Sequence, residues 1–518
     1  SPPTCRTDDE SAERLGDLPE SEASGSNYLH GLHDQTCIDF KPRQCGSHSL
    51  AMRRRSLRPG RAGAVPFLLL AASLTASFLT IAAGAPPHRG LSRGDAADVT
   101  RLALQGRADD VRAWFEEHPE SCVNQRRLVG VAENGGLNGG LSDKLAQRFW
   151  SRTFKDGTRQ VQVASGEMHR YKLLRSIKSG SYGQVYLAFD KRAGKLVAIK
   201  KIPTVFFPEK RVTSTHNPAR SVWMEIELLQ ITRHSGDIMN LERVLMPRNK
   251  QTFVSVYQVF ELMESFTPKF KAHRNLTSTE AEQLKLNLFQ LLRGVHYMHT
   301  ARLTHNDLRA KNTMLDGDCN LKIIDLGLGR AMRKTPDSGL HMPLFQDAGM
   351  YNRDLWLVGS TILYLIGAAG QFRLSATDVS NRQKAKTIIN VLGPPTDRAI
   401  DLYGRTEKMV WKEIRKTHQQ VMPLRERFPN ADKRLISLIK QILALDRHPP
   451  TPRELLRHKY FEGMDQSTIE DGPRGVTARL PWKDYPLEED ESRTWLVRAA
   501  NGVNSRYQRK QAKTSGDL

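Results

Sequence analysis

Cysteine is scarce in this chain, and its five cysteines are far apart: Cys5, Cys37, Cys45, Cys122 and Cys319. No two of them form a CxxC pair, so we expect neither a structural zinc site nor a disulfide framework. Hydrophobic residues make up 39% and charged residues 26% of the 518 residues. This composition excludes a collagen-like chain, a disulfide miniprotein and a multi-span membrane protein. The length predicts two to four structural units with at least one large core.

Acidic residues are also in deficit, because 56 aspartates and glutamates face 78 lysines and arginines and leave a net charge of +22. Such a balance favours an acidic protein, an anionic membrane surface or a nucleic acid as partner. No zinc finger and no aromatic RNA-binding motif accompanies the charge, so a nucleic acid is the least favoured of the three.

The first 51 residues lack hydrophobic periodicity, which predicts disorder. A plausible translation start at Met52 leaves open whether residues 1–51 belong to the natural protein. Residues 52–85 join five arginines to an uncharged run that ends in Ala83-Gly84-Ala85, the pattern of a secretory signal. The run over residues 62–85 is long enough to cross a bilayer if it is not cleaved, so a single-pass anchor is the less favoured alternative. We therefore expect a secreted protein, or one stored in a secretory organelle.

Residues 86–164 form a basic extension in which apolar spacing predicts one helix over about residues 96–118, ended by Pro119. The glycine-rich run at residues 133–143 predicts a flexible linker. The basic helix fits two interpretations, contact with an anionic membrane or docking on the protein's own domain. The polar tail, residues 464–518, either packs back on the catalytic region or is disordered.

Two glycines, a lysine and a glutamate form the first group of candidate site residues. Gly180 and Gly183 lie between strand-like runs, where glycine lets a hairpin approach phosphate oxygens closely. Lys200 projects from the following strand and can hold phosphate charge. Glu225 lies on the apolar stripe of a helix that begins near Asn217-Pro218. A buried acid needs a partner, and Lys200 is the obvious one; a solvated acid at the edge of the stripe is the alternative.

Acidic and amide side chains form the second group. A helix predicted over residues 279–299 leads to a loop that carries Asp307 and Asn312. Asp325 follows an apolar strand and precedes Leu326-Gly327. Since magnesium takes oxygen ligands, Asn312 and Asp325 form a plausible magnesium site.

These motifs resemble those of eukaryotic protein kinases. The family's catalytic loop H-R-D-x-x-x-x-N corresponds to the residues His305-Asn306-Asp307-Leu308-Arg309-Ala310-Lys311-Asn312, its D-F-G element to Asp325-Leu326-Gly327, and its strand lysine motif to Val197-Ala198-Ile199-Lys200. The resemblance covers residues 165–463 and implies an α+β, bilobal protein kinase fold, with a small β-rich N-lobe that has one main helix and a large helical C-lobe. LGPPTD at residues 392–397 resembles MAP kinases, and the secretory signal is similar to that of apicomplexan rhoptry kinases.

The resemblance implies ATP and Mg²⁺ as cofactors and a protein as substrate. Asp307 would accept the proton of the substrate hydroxyl, Lys200 would contact phosphates and pair with Glu225, and Asn312 and Asp325 would hold Mg²⁺. Arg309 stands where the family has lysine, and Phe260 would be the gatekeeper. The nucleotide would be bound by a larger set: Ile177, Ser179, Gly180, Ser181, Tyr182, Gly183, Val185, Ala198, Lys200 and the backbone of Glu261 and Met263.

Departures from the family pattern keep other interpretations open. Lys178 replaces the first loop glycine, and Asn306 replaces the arginine that pairs with an activation-loop phosphate, so we expect activity without that phosphorylation. No A-P-E follows Gly327, and residues 446–450 have no arginine at the position that would pair with its glutamate. Both departures predict a short activation segment before Asp354. The sequence predicts an active serine/threonine kinase; a pseudokinase that binds ATP or no nucleotide, and a truncated gene model, are the alternatives.

Overall fold

The computed structural model describes the chain in these ranges: residues 93–118, 121–154, 157–180, 183–206, 217–270, 272, 275–332, 350–367, 380–401, 405–417, 424–444, 450–475 and 488–516. The predicted leader (1–51), the predicted secretory signal (52–85) and most of the predicted short activation segment (333–349) lie outside them. None of the helices within those ranges is long and apolar enough to cross a membrane.

In the described part of the extension, four helices precede the catalytic region: α1 (Arg93–Leu104), α2 (Ala108–Glu117), α3 (Gln125–Glu133) and α4 (Asp143–Trp150). The prediction of a single helix over residues 96–118 was wrong, because two helices, α1 and α2, lie there. Gly106 adopts a φ of +80°, and a left-handed residue of this kind ends α1. The chain therefore turns between α1 and α2 before it reaches Pro119.

The glycine-rich run at residues 133–143 forms a close-packed turn rather than the predicted flexible linker. A Cβ added to Gly136 would lie 2.2 Å from the carbonyl oxygen of Leu104, so only glycine fits there. The N–H of Leu137 donates to that same oxygen at 2.8 Å. Glycine is needed here because two backbone segments lie in direct contact. A glycine-rich composition alone does not distinguish such a contact from a flexible linker.

After a short hairpin of β1 (Ser151–Thr153) and β2 (Arg159–Val161) and the helix α5 (Ser165–Arg170), the chain forms a five-stranded antiparallel sheet. Its strands are β3 (Tyr171–Gly180), β4 (Gly183–Asp190), β5 (Lys195–Ile202), β6 (Leu241–Leu245) and β7 (Val256–Glu261), in the order β3-β4-β5-β7-β6. The helix α6 (Pro218–Thr232) begins as predicted, since the side chain of Asn217 accepts a hydrogen bond from the N–H of Arg220.

The extension packs on both faces of this sheet. Apolar side chains of α1, α2 and α3 form one cluster with Leu187 and Leu196, whereas Phe149 and Trp150 of α4 form another with Ile199. Since neighbouring residues of a strand point to opposite faces, the clusters lie on opposite sides of the sheet. The apolar stripe of the basic extension is thus used for docking on the catalytic domain.

The large lobe is mostly helical. The helix α7 (Ser278–Thr300) matches the helix predicted over residues 279–299 and starts at a capping box formed by Thr277 and Glu280. Its short strands are β8 (Ser265–Phe266), β9 (Leu303–Thr304), β10 (Thr313–Leu315), β11 (Leu321–Ile323) and β12 (Arg330–Ala331). Its other helices are α8 (Met350–Leu365), α9 (Asn381–Leu392), α10 (Asp397–Asp401), α11 (Arg405–Thr417), α12 (Leu424–Arg427), α13 (Lys433–Ile442) and α14 (Pro452–Leu456). The predicted α+β bilobal fold is confirmed.

The tail ends in the helix α15 (Glu489–Gly516), which packs on α6 and β6 of the small lobe. The rings of Trp495 and Trp223 meet edge to face, with centroids 5.3 Å apart. The side-chain amide of Asn504 pairs with the backbone of Val244 in the edge strand β6. Its oxygen accepts from the N–H of Val244 at 3.2 Å, and its nitrogen donates to the carbonyl of Val244 at 2.7 Å. This part of the tail therefore packs back on the catalytic region, and α15 braces the helix that carries Glu225.

Candidate active site

Lys200 of β5 and Glu225 of α6 form a buried ion pair. The Lys200 Nζ lies 2.9 Å from Oε1 and 3.2 Å from Oε2 of Glu225. The amide of Gln258 also donates to Glu225 Oε2, at 3.3 Å. Burial opposes the charge on Lys200, but Glu225 and Asp325 outweigh it and raise the pKa of Lys200. Glu225 is only 3% exposed, which rules out the alternative of a solvated acid.

Asp307 follows β9 and is held by two donors from its own loop. The Arg309 guanidinium donates to Asp307 Oδ2 at 2.9 Å, and the Asn312 amide donates to the same oxygen at 2.9 Å and to the Asp307 carbonyl at 2.8 Å. Both side-chain donors therefore reach Oδ2 of Asp307.

Asp325, one of the two predicted magnesium ligands, lies close enough to Lys200 for their charges to interact. It follows β11 with a φ of +64°, and its charge contributes to the raised pKa of Lys200. The Asn312 amide uses its nitrogen on Asp307, which leaves its oxygen for another partner. One carboxylate and one amide oxygen suit a hard cation such as Mg²⁺. The residues present therefore fit the magnesium ion that the sequence predicts.

A residue that the sequence reasoning did not recognise, Asp354 of α8, holds the catalytic loop. Its Oδ2 accepts from the backbone N–H of His305 at 2.8 Å, and its Oδ1 accepts from the N–H of Asn306 at 2.7 Å. The ring of His299 contacts Oδ2 at 3.2 Å. The sequence placed Asp354 at the start of a helix, but it lies in the second turn of α8 as described. Its only local signal is an acid in a helix that is apolar on all sides.

Asn306, which replaces the family's arginine, makes local hydrogen bonds instead of an ion pair. It adopts a φ of +65°, which asparagine tolerates better than most residues. Its amide nitrogen donates to Thr304 Oγ1 and to the carbonyl of Leu328, each at 3.1 Å. Asn306 thus links the catalytic loop to the segment just after Asp325 with neutral groups only.

The glycine hairpin lies at the ends of β3 and β4, where Gly180 pairs with Gly183. Gly183 has a φ of +124°, and a Cβ there would lie 2.2 Å from the carbonyl oxygen of Lys201. Of the other predicted nucleotide contacts, Ile177 and Ser179 are exposed on β3, Val185 pairs with Lys200, and Ala198 pairs with the gatekeeper Phe260. Ser181 and Tyr182 lie outside the described residues.

Lys178 makes a contact between the two lobes. Its Nζ lies 5.7 Å from the ring centroid of Phe266 in β8, and half of the Phe266 side chain is exposed. Burial lowers the pKa of Lys311 in the catalytic loop, and the charges of Arg309 and Lys178 add to the effect. Lys178 therefore brings a positive charge to β8 of the large lobe and adds to the charge beside the catalytic loop.

The segment after β7 joins the lobes and carries the predicted adenine contacts. The Glu261 side chain accepts from the N–H of Asn240 at 2.6 Å and pairs with Lys322 at 2.7 Å. Met263 is buried, and the N–H of Glu264 donates to the carbonyl of Leu315 at 2.8 Å. These hydrogen bonds hold the residues on both sides of Met263, Glu261 through its side chain and Glu264 through its backbone.

Residues 171–461, more than half of the chain, match the protein kinase domain, so the chain belongs to the protein kinase family. Among curated proteins, mitogen-activated protein kinase 15 of Oryza sativa subsp. japonica is 31% identical over 329 residues, which cover 60% of this chain and 63% of that protein. Mitogen-activated protein kinase 16 of Arabidopsis thaliana is 31% identical over 330 residues, covering 60% of this chain and 55% of that protein.

A longer match extends beyond the kinase domain. Mitogen-activated protein kinase 17 of Oryza sativa subsp. japonica is 30% identical over 408 residues, covering 74% of this chain and 66% of that protein. The matched region spans about three fifths of the length of the first two relatives. These matches support a eukaryotic protein kinase of the MAP kinase type.

Proposed function

We propose that this protein is an active serine/threonine kinase that transfers the γ-phosphoryl group of Mg-ATP to a hydroxyl of a protein substrate. The observation that carries the proposal is the assembled pair of Lys200 and Glu225 beside Asp325. A partly buried lysine at this place is held ready for phosphate charge, and a kinase needs positioning and charge neutralisation above all.

In the transfer, the bond between the γ-phosphorus and its bridging oxygen breaks while a bond to the substrate oxygen forms. Asp307 receives the hydroxyl proton at Oδ1, because Arg309 and Asn312 occupy Oδ2. Lys200 would stabilise the phosphate oxygens. Phosphate charge would also be neutralised by the magnesium that Asn312 and Asp325 fit.

We further propose that the kinase is secreted, or stored in a rhoptry-like secretory organelle, and has a short activation segment that needs no phosphorylation. The disulfide between Cys122 and Cys319 supports an oxidising compartment, since disulfides are rare in reducing ones. The neutral hydrogen bonds of Asn306 support independence from an activation-loop phosphate. An acidic protein or an anionic membrane surface is the partner we propose for the basic extension.

The second candidate is a pseudokinase, and the contact of Lys178 with Phe266 is the observation that favours it. A lysine side chain that reaches from β3 to β8 beside the glycine hairpin would crowd the phosphates of ATP. The two candidates differ in chemistry, because only a kinase needs the carboxylate of Asp307.

The test is phosphate transfer by the purified full chain with Mg-ATP and a mixed protein substrate, beside an Asp307→Asn control. We expect transfer by the wild type and none by the variant, with equal thermal stabilisation of both by Mg-ATP. If neither protein transfers phosphate while Mg-ATP stabilises both, the pseudokinase that binds ATP is correct. If neither protein transfers phosphate and Mg-ATP raises the melting temperature of neither, the chain is a nucleotide-free scaffold.

A further inference from the structure

Arg127 of α3 is a charged residue of the extension that lies buried against the segment joining the two lobes. Its Nη2 donates to the carbonyl of Met263 at 2.8 Å and to the carbonyl of Glu264 at 2.7 Å. Its Nη1 donates to the Glu264 carboxylate at 2.6 Å. The side chain is only 4% exposed. These three hydrogen bonds all go to Met263 and Glu264.

A second residue of the extension binds the same stretch. The Asn124 N–H donates to the Glu264 carboxylate at 3.2 Å, and its amide donates to the Glu264 carbonyl at 3.4 Å. Burial raises the pKa of Glu264 against the opposing charge of Arg127, and burial lowers the pKa of Arg127 against that of Glu264. Removing one partner from a buried pair of this kind leaves an uncompensated charge.

A disulfide fixes the start of α3. Cys122 is bonded to Cys319, which lies in the turn between β10 and β11 of the large lobe, with the two Cα atoms 5.3 Å apart. The opposite side of the extension packs on Leu187 and Leu196 of the small lobe. The extension therefore holds both lobes and places Arg127 at the segment between them.

We propose that Arg127 is a positioning residue for nucleotide binding, which holds the backbone around Met263 in the orientation that receives adenine. The Arg127 guanidinium grips two successive peptide groups, those whose carbonyls belong to Met263 and Glu264. Fixing them restricts the rotation of Met263, whose own N–H is the adenine donor implied by the kinase resemblance. Without Arg127, both carbonyls lose a charged donor in a buried place, and the stretch is free to turn toward other donors.

This inference rests on the proposed function only in that ATP binds beside Met263. The test therefore measures binding and turnover separately in the full chain, using calorimetric titration with Mg-ATP and steady-state kinetics. The variants are Arg127→Met, which removes the donors, and Arg127→Lys, which keeps the charge but cannot grip two carbonyls and a carboxylate at once. The matched control is Arg101→Met, because Arg101 pairs with Asp98 on the exposed surface of α1.

We expect Arg127→Met to raise both the KM and the Kd for ATP about tenfold, equivalent to about 1.4 kcal/mol, with kcat changed less than twofold. Arg127→Lys should show a smaller rise in the same two constants, and Arg101→Met none. Leu128→Ala removes a buried side chain from the extension core beside Arg127 but leaves the Arg127 hydrogen bonds in place. It therefore separates an effect of backbone positioning on ATP binding from a general loss of stability. All assays are run well below the melting temperatures of the variants.

Unchanged ATP constants in Arg127→Lys and Arg127→Met would overturn the inference, and so would an equal rise in Leu128→Ala. If Arg127→Met does not fold, Arg127→Lys and Leu128→Ala decide by the same comparison. A wild type that binds no ATP would instead defeat the proposed function, and the two failures are thus distinguishable.

Discussion

At the scale of single residues, the loop that carries Asp307 is held by one carboxylate from a distant helix, that of Asp354. Asp354 is fully buried and accepts the backbone N–H groups of His305 and Asn306. These two groups immediately precede Asp307, so their orientation sets where the Asp307 carboxylate points. A mobile loop in this position would lose the fixed geometry from which proton transfer benefits.

We expect Asp354→Ala to lower the free energy of unfolding by about 2–4 kcal/mol, because two buried N–H groups lose their acceptor. The remaining folded protein should have a kcat at least tenfold lower, since the loop that carries Asp307 is no longer fixed. Asp354→Asn keeps one acceptor oxygen and should fall between wild type and Asp354→Ala. Denaturant unfolding and phosphate transfer below the transition provide both readouts. Wild-type kcat in folded Asp354→Ala would show that the loop is positioned by other contacts.

The difference between Asp307 and Asp354 shows what a sequence reveals about single residues. Asp307 stands in a motif of fixed spacing, so its neighbours Arg309 and Asn312 could be predicted together with it. Asp354 acts through two backbone groups 48 and 49 residues away, and backbone groups carry no sequence signal. The same holds for Arg127, whose main acceptors are carbonyls more than 130 residues distant.

At the scale of secondary-structure elements, the end of α4 is bound to the sheet through a buried lysine. Lys201 of β5 donates to the carbonyl of Phe149 at 2.6 Å and to that of Ser151 at 2.9 Å. Helix ends leave such carbonyls unsatisfied, and a cation suits them. Even so, burial and the charges of Arg148 and Arg152 lower the pKa of Lys201 to about 8.

This lowered pKa predicts how the docking of α4 responds to pH. Between about pH 8 and the ordinary lysine pKa near 10.5, the folded state has released the proton while the unfolded state still binds it. The contribution of Lys201 to the free energy of unfolding therefore rises with pH in this window. We expect the difference in unfolding free energy between wild type and Lys201→Met to grow in favour of wild type from pH 8 to pH 10. A difference that stays flat over this range would mean that Lys201 keeps its ordinary pKa in the folded state.

Elements with local signals could be predicted, and elements whose ends depend on distant partners could not. The start of α6 is encoded by Asn217 and Pro218, and α7 by its capping box and apolar period. The end of α1 depends on Gly106 and on the glycine-rich turn that packs against Leu104. The spacing of apolar residues along the sequence does not reveal either contact. The docking of α15 depends on Asn504 bonding to a strand edge 260 residues earlier.

At the scale of the whole molecule, one covalent bond joins the extension to the large lobe. Scattered cysteines did not predict a disulfide framework, and the described residues contain one disulfide, between Cys122 and Cys319, which are 197 residues apart. A pairing over such a distance requires the fold to be known first. The loop of chain that the bond closes contains the five-stranded sheet of the small lobe and the segment between the lobes. The bond therefore fixes the extension to the large lobe at a position beside that segment.

We expect loss of this bond to destabilise the chain, because closing a long loop limits the conformations of the unfolded state. Cys122→Ser and Cys319→Ser should each lower the free energy of unfolding by about 2–4 kcal/mol. Dithiothreitol should bring wild type to the same melting temperature and leave both variants unchanged, which separates the disulfide from the change of side chain. Peptide mapping of protein made in an oxidising compartment should recover the linked pair. Two free thiols there, or a wild type indifferent to reduction, would show that the extension is held by noncovalent contacts such as those of Arg127 alone.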